Sequence, residues 1–513
     1  MIDTALVYRL LAQASVSASA PTLPVVSPLT GQRWLDLPVS TETDVQAAFD
    51  QARAVQRGWA QRSVHERCRV LLRLHDLILA RRDEAMDLLQ WETGKSRRDA
   101  MEEVLDVAIT ARHYGRAAAR LLRPQRRRGV IPGAVGVVQV RHPRGVLGVI
   151  APWNYPLTLA ASDALPALAA GNGAVIKPDV QTSLTALWVV DLMVQAGLPE
   201  GLVRVVLGPG PDLGPLVIDR SDVVMFTGST PVGRTVAARC GERLIPVSLE
   251  LGGKNAMIVR ADAEIAKAAD IAVRACFANA GQLCVSMERI YVHRALADAF
   301  IAAFAERTRA LTLSAQLGWG ADVGSLVSQR QLERVLAHVD DAVKHGATLV
   351  AGGRARPDIG PFVMEPTILT GVTPQMALCR DETFGPVVSV AVVDSDDEAV
   401  ARANDTDYGL HGVIVTRDVR AGRALAMRLR TGTVTINEAH GPAWGSTDAP
   451  MGGRGASGLG RRHGDEGLLK YTDVQAIATQ RVLGFSPPLG LTDERWLTLM
   501  ADTFALLKRA GLK

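Results

Sequence analysis

Within residues 43 to 120, apolar positions such as Leu71, Leu74, Ile78 and Leu79 recur at helical spacing while charged residues fill the other faces, which predicts amphipathic helices. Thr43-Asp44-Val45-Gln46 reads as a capping box at their start. The first residues lack a basic leader and carry Arg9 inside an apolar run, so they predict a short amphipathic helix and no signal peptide. From 129 to 150 the pattern changes to β-like runs, Val135 to Val140 and Val146 to Ile150, around the turn His142-Pro143-Arg144-Gly145. A regular alternation follows: strand Ala174 to Lys177, helix Thr182 to Ala196, strand Leu202 to Leu207, strand Val223 to Phe226, helix Pro231 to Arg239 and strand Ile245 to Leu249. It resumes with strand Ala256 to Val259, helix Asp262 to Asn279, strand Arg289 to His293 and further elements to Ile436. Repeated βα units need crossovers and predict an α/β fold of two doubly wound parallel sheets in tandem. A glycine- and arginine-rich stretch from Gly452 to Gly467, a β-like run near 474 to 479 and a helix near 492 to 510 close the chain.

The length of 513 residues corresponds to roughly three domains. With 48% hydrophobic and 21% charged residues, a disordered, collagen-like or coiled-coil chain is excluded. The 57 basic and 53 acidic residues leave a net charge of +4 with no basic stripe interleaved with aromatics, so nucleic acid is not an expected partner. Five dispersed cysteines without a C-x-x-C suggest neither a disulfide framework nor a metal site and fit reduced, intracellular thiols. The uncharged run Gly145 to Ser162 is interrupted by Pro152, Asn154 and Pro156, which reads as strand, turn and helix and not as a membrane span.

Several motifs carry candidate chemistry, each with a plain structural alternative. Phe226-Thr227-Gly228-Ser229-Thr230-Pro231-Val232-Gly233 leaves a strand and opens a helix, the setting in which glycines let a pyrophosphate approach a helix N-terminus. Lys177 ends a strand, where an α/β sheet binds ligands; a solvated strand-end lysine is the alternative. Gly281-Gln282-Leu283-Cys284 places a thiol after a helix, either a nucleophile or a small buried hydrophobe. Glu250, in Leu249-Glu250-Leu251-Gly252-Gly253-Lys254, ends an apolar strand, where a carboxylate is paired or functional; pairing with Lys254 is its plainest role. Asn154, in Pro152-Trp153-Asn154-Tyr155-Pro156, offers an amide from a rigid turn, as an oxyanion donor or an Asx turn.

These motifs occur in one order and are joined by Glu382-Thr383-Phe384-Gly385-Pro386-Val387. Together they resemble the aldehyde dehydrogenase superfamily from about residue 25 to 480. The resemblance implies that Cys284 is the nucleophile, Glu250 the general base and Asn154 the oxyanion donor. It also implies that Trp153, Asn154, Lys177, Val180, Gly228, Ser229, Gly233, Leu251 and Glu382 hold an NAD(P) cofactor. A carboxylate at Glu250 argues for hydrolysis of a thioester over transfer to coenzyme A. The implied organisation is an NAD(P)-binding domain at 1–128 and 149–253, a catalytic domain at 254–440, an oligomerisation arm at 129–148 and 470–490, and a C-terminal helix at 491–513. A cytoplasmic homodimer or homotetramer is expected, with a small-molecule aldehyde as the other partner and no membrane attachment.

NAD-preferring relatives carry a glutamate three residues after the motif lysine, and here that position is Val180. NADP is therefore the expected cofactor, with NAD as the alternative and Asp179 as a neighbour able to interfere. The flanking residues resemble bacterial succinate-semialdehyde dehydrogenases, which makes succinate semialdehyde the expected substrate. Ser162 and Ala278, however, stand where the better-known form of that enzyme has a carboxylate-clamping arginine pair. Arg289 and the group Arg454, Arg461 and Arg462 are the substitutes on offer, although a solvated or subunit-interface loop is their plainer role. A less polar aliphatic or aromatic aldehyde is the alternative substrate. An inactive nucleotide-binding member is a third reading, against which the intact Cys284, Glu250 and Asn154 weigh.

Overall fold

A computed structural model of the chain describes residues 2–130, 134–482, 484 and 486–511. The chain forms two compact units, Met1–Leu121 with Pro143–Tyr471, and Leu122–His142 with Thr472–Lys513.

The first unit begins with the helix Thr4–Leu11, capped by Asp3, and a hairpin of strands Thr22–Val26 and Arg33–Pro38. The amphipathic stretch becomes four helices, Glu42–Gln61, Val64–Ala80, Arg82–Thr93 and Arg97–Leu122. The capping box of the first lies at Thr41 and Asp44, not at Thr43: Asp44 accepts the Thr41 N–H at 2.8 Å and Thr41 Oγ1 accepts the Asp44 N–H at 3.2 Å. Thr43 already sits in the first turn, so the box starts two residues earlier than its apparent motif.

Two sheets carry the unit. The six-stranded sheet runs Gly458–Leu459, Val247–Glu250, Val223–Thr227, Val146–Ile150, Gly173–Lys177, Val203–Val205. The last five are mutually parallel, while Gly458–Leu459 pairs antiparallel with Val247–Glu250. Val146–Ile150 and Gly173–Lys177 are buried throughout, as a parallel sheet covered on both faces requires. Successive strands add first on one side of Val146–Ile150 and then on the other. This reversal opens a crevice at the carboxyl ends of Val146–Ile150 and Val223–Thr227, where doubly wound sheets take their ligands.

The seven-stranded sheet runs Thr348–Ala351, Thr367–Thr370, Val387–Val393, Met287–His293, Asn255–Val259, His411–Val415, Thr433–Ile436. It is parallel except for the antiparallel edge strand Thr348–Ala351. Its core includes a stack of Phe277, Phe304 and Phe300, with ring centroids 5.8 and 5.7 Å apart. The helix expected over Asp262–Asn279 runs Ile265–Phe277, because Asn279 and Ala280 adopt left-handed backbone at φ 53°.

In the second unit a three-stranded sheet has the order Thr472–Gln480, Val135–Pro143, Gln125–Arg128. Gln125–Arg128, with the sequence QRRR, has no apolar pattern and was not expected as a strand; it pairs antiparallel with Val135–Pro143. The helix Asp493–Arg509 follows, its N-terminus capped by Thr492. Residues 131–133, 483, 485, 512 and 513, which fall in the stretches expected to form an arm and a C-terminal helix, lie outside the described residues. Among the described residues no helix is long and apolar enough to cross a membrane.

Candidate active site

Asn154 lies in the short connection between the strand Val146–Ile150 and the helix Pro156–Ala161. Its Nδ2 donates to the Gln282 carbonyl at 3.1 Å. One amide hydrogen is thus spent on the loop that carries the thiol, and the second remains for another acceptor. Cys284 follows three residues in left-handed backbone, Asn279, Ala280 and Gly281. A side chain at Gly281 would put its Cβ 2.0 Å from the Gly385 carbonyl oxygen, so the cysteine loop packs directly against the Glu382–Gly385 motif. Strained backbone of this kind persists where the surroundings over-determine it, and it clusters at functional sites. The Cys284 carbonyl accepts from Asn255 Nδ2 at 2.7 Å, which fixes the other side of the thiol.

Glu250 ends the strand Val247–Glu250 and is only 5% exposed. Its Oε1 is buried without a hydrogen-bond partner. The alternative, a pairing with Lys254, is not made: Lys254 is buried against Glu288 and donates to the Asp381 carbonyl at 2.7 Å. Burial raises the Glu250 carboxyl to about 8, against the opposing pull of Arg462 and Lys470. Burial likewise pushes the Cys284 thiol up to about 12, with the charges of Glu382 and Glu250 adding to it. The thiol and both amide and carboxylate line one cavity of about 200 Å³. Cys276 and Cys240 are buried and their thiols are also raised by burial.

The same cavity takes in Trp153, Gly228, Ser229, Leu251 and Glu382. Phe226 lies under Gly228, whose Cβ would meet the ring at 2.6 Å, and Leu251 lies under Gly233 at 2.5 Å. Both glycines thus allow close packing beside the helix Thr230–Glu242, whose N-terminus has no side-chain cap. Glu382 Oε1 accepts the Gly253 N–H at 2.8 Å, and burial raises its carboxyl to about 7. Three expected residues do not line this cavity. Gly233 sits one helical turn beyond Ser229, and Lys177 is buried at the end of the neighbouring strand with Nζ on the Pro178 carbonyl at 2.8 Å. Val180 opens a short 3₁₀ turn whose N-cap is Asp179, and the Asp179 carboxylate is spent on the Gln181 N–H at 2.9 Å.

Phe384 of the Glu382–Val387 motif also lines the cavity, as do Gln331 and Arg334, which were not singled out from the sequence. Gln331 Nε2 donates to the Phe384 carbonyl and Arg334 Nη2 to the Glu382 carbonyl, both at 2.6 Å. Their helix, Gln329–Lys344, shows in sequence only which face is apolar, so nothing there signals what the polar face reaches.

Three of the four arginines offered as a carboxylate clamp are otherwise occupied. Arg289 is buried and donates to the Lys254, Arg402 and Ala403 carbonyls. Arg462 is 5% exposed and pairs with Asp163 at 3.0 Å, so it is neither solvated nor a loop ornament. Arg461 donates to the Gly453 and Gly460 carbonyls, and Arg454 is exposed. Ser162 is buried with its Oγ on Asp106 at 2.8 Å.

The model of the aldehyde dehydrogenase family matches residues 15–477. A protein of Mycolicibacterium smegmatis, provisionally named succinate-semialdehyde dehydrogenase (NADP+), is 52% identical over 486 residues, covering 95% of this chain and 94% of its own. A Mycobacterium tuberculosis protein provisionally given the same name with the suffix 2 is 49% identical over 488 residues, covering 95% of this chain and 94% of its own. Among solved structures, the NAD+ complex of an aldehyde dehydrogenase from Bacillus cereus superposes with a TM-score of 0.85 at 33% identity, over 90% of this chain and 93% of that one. With the thiol, the carboxylate and the amide gathered at the sheet's switch point, the chain belongs to the aldehyde dehydrogenase family.

Proposed function

We propose that this protein oxidises succinate semialdehyde to succinate with NADP, through a thioester on Cys284 that is hydrolysed with Glu250 as general base. The observation that carries the chemistry is the meeting of Cys284, Glu250 and Asn154 on one cavity beside a glycine-lined helix N-terminus. The choice of substrate and cofactor is supported by the names of relatives 52% and 49% identical.

The residues fit a nicotinamide dinucleotide. Gly228 and Gly233, where a Cβ would collide with Phe226 and Leu251, flank Ser229 at the uncapped N-terminus of the helix Thr230–Glu242, which suits a pyrophosphate. Lys177 and Val180 would meet the adenosine part of such a cofactor, and Trp153, Leu251 and Glu382, which line the cavity, would hold the rest. Val180 offers no carboxylate to a 2′-phosphate, and Asp179 turns its own carboxylate into the chain, which favours NADP. What such a cofactor supplies when bound is a hydride acceptor.

The protein's own residues supply the rest. Cys284 is protonated at rest, so attack on the aldehyde carbon needs a base, and Glu250 is the cavity carboxylate free to accept that proton. The oxyanion forms beside Asn154, whose second amide hydrogen stabilises it. Once Cys284 carries the acyl group as a thioester and Glu250 has released the thiol proton to solvent, the regenerated carboxylate takes a proton from the attacking water. Its raised carboxyl, at about 8, is matched to proton transfer near neutral pH.

A second reading, oxidation of a less polar aldehyde, is favoured by Ser162 and Ala278 in place of clamping arginines and by the engagement of Arg289 and Arg462 elsewhere. Cofactor reduction over a panel of aldehydes, with NAD and NADP separately, decides between them. The succinate reading requires kcat/KM for succinate semialdehyde to exceed that for butanal; equality or the reverse order transfers the assignment to the second reading.

The six-stranded sheet is read as the cofactor domain, the seven-stranded sheet as the catalytic domain, and the three-stranded sheet as the contact arm of a homodimer or homotetramer. A cytoplasmic setting accords with five free thiols. A monomeric mass by light scattering would remove the role given to the arm.

A further inference from the structure

Lys95 and Glu103 form an ion pair with no exposed side-chain surface on either partner. Neither lines the cavity, and no step above uses them. A buried pair of this kind is weak evidence for stability, since hydrophobic replacements of similar volume often serve as well. What distinguishes this one is the set of groups that its remaining hydrogen-bonding capacity holds.

Lys95 Nζ donates to the Asn154 carbonyl oxygen at 2.7 Å and stands 4.1 Å from the centroid of the Tyr155 ring. Glu103 Oε2 accepts the N–H groups of Leu157 and Thr158 at 2.9 and 3.2 Å. These are the first orphan donors of the helix Pro156–Ala161, whose own N-cap, Tyr155, makes no side-chain cap. The ammonium therefore grips the turn at residue 154 while the carboxylate grips it at 157 and 158. Between these points lies the backbone from which the Asn154 amide projects. Asn279 Nδ2 adds a second donor to the Asn154 carbonyl at 3.2 Å, from the cysteine loop itself. Lys95 comes from a different segment: it follows Gly94, which closes a helix at φ 77° with Cβ space blocked at 2.9 Å by Pro28 and Ser325, and whose carbonyl accepts the Ser325 N–H at 2.7 Å.

We propose that the Lys95–Glu103 pair positions Asn154, fixing the peptide plane at residue 154 so that the side-chain amide is held ready for the oxyanion. Lys95 acts through Asn154 and touches no reacting atom. The inference rests on the reading of Asn154 as the oxyanion donor. Displacement of an oxyanion donor by a fraction of an ångström costs rate and leaves cofactor binding alone, because the donor is used only as charge develops.

The test is a set of variants assayed for kcat, KM, NADP affinity by fluorescence, and Tm: Lys95→Met, the double variant Lys95→Met/Glu103→Gln, Asn154→Ala, and Lys95→Met in the Asn154→Ala background. Lys95→Met is expected to lower kcat about 10- to 100-fold, part of the loss that deleting an oxyanion donor causes, with NADP affinity within twofold of the parent. The double variant removes both buried charges, so its Tm recovers while its kcat stays low; recovery of kcat along with Tm would reduce the pair to a structural role and overturn the proposal. In the Asn154→Ala background Lys95→Met should cost less than about twofold, because residues acting through one group are not additive. A full additional loss there also overturns it. If Lys95→Met does not fold, the neutral double variant carries the same comparison in both backgrounds. Undiminished turnover by Asn154→Ala alone would instead sink the oxyanion reading of Asn154, an outcome distinct from failure of the Lys95 proposal.

Discussion

Lys470 Nζ lies 3.1 Å from Ser248 Oγ. Ser248 and Glu250 are two apart on the strand Val247–Glu250, so they share a face about 7 Å apart. The ammonium therefore stands on the side of the strand from which the Glu250 carboxylate projects. It also contacts the Met225 sulfur at 3.5 Å and the Tyr471 ring at 5.0 Å, and the carboxylates that favour its charge are Asp163 first and Glu250 second.

This placement makes a pH prediction. Glu250 works as the deprotonated base, and burial holds its carboxyl at about 8, with Arg462, Lys470 and Arg461 pulling it down and Asp163 pushing it up. The rate of thioester hydrolysis should therefore rise with pH through about 8 and level off above. Lys470→Met removes one of the downward pulls, so the inflection should move up. Rate against pH in single-turnover hydrolysis measures it. An inflection that stays put or moves down in Lys470→Met would mean that the ammonium does not act on Glu250.

Separating the two chemical steps gives a second prediction. Cys284→Ala should abolish aldehyde oxidation while leaving NADP binding. Glu250→Gln should slow steady turnover about 10²- to 10⁴-fold, the usual worth of a general base. The discriminating measurement is a rapid-mixing trace: if Glu250 serves deacylation, a slowed first turnover is followed by a far slower steady phase. Equal loss in both phases would place its role wholly before the thioester.

Cofactor choice is tested at Val180. Val180→Glu places a carboxylate where a 2′-phosphate would approach, so kcat/KM with NADP should fall at least about tenfold, the size of one interacting opposite- or like-charge pair at such a site. The NAD value should hold or rise. Equal effects on both cofactors would show that position 180 does not face the ribose.

The chemistry-bearing residues were legible because each needs its own identity: no other side chain replaces a thiol nucleophile or a strand-end carboxylate. The parallel sheets were legible from their unbroken apolar strands. Contacts that depend on tertiary placement were not. Arg462 sits in a glycine- and arginine-rich tail that reads as solvated, and Asp163, distant in sequence, pairs with it while Asp106 and Glu250 add to its compensation at 5% exposure. Gly458–Leu459 is two residues long and becomes a strand through pairing with the Glu250 strand, which no local pattern announces. Gln331 and Arg334 reach the cavity from a helix whose sequence reports amphipathicity alone.

Backbone strain gives the last prediction, through a contrast between two glycines. Gly58 lies in the helix Glu42–Gln61 with open space where a Cβ would stand, so Gly58→Ala should stabilise the protein by about 0.5–1 kcal/mol through the reduced freedom of the unfolded chain. Gly281 has φ +69°, and an added Cβ would meet the Gly385 carbonyl oxygen at 2.0 Å and its carbon at 2.3 Å. Both atoms belong to backbone, so relief requires the cysteine loop to move away from the Glu382–Gly385 motif. Gly281→Ala should lower stability by at least about 1–3 kcal/mol, the cost of a left-handed non-glycine residue before the clash is counted. It should also reduce turnover more than its loss of Tm explains, because the shifted loop carries Cys284. Thermal unfolding together with titration of the Cys284 thiol by an aldehyde-mimetic alkylating agent reads both effects. Unchanged alkylation in a destabilised Gly281→Ala protein would show that the loop absorbs the clash without displacing the nucleophile.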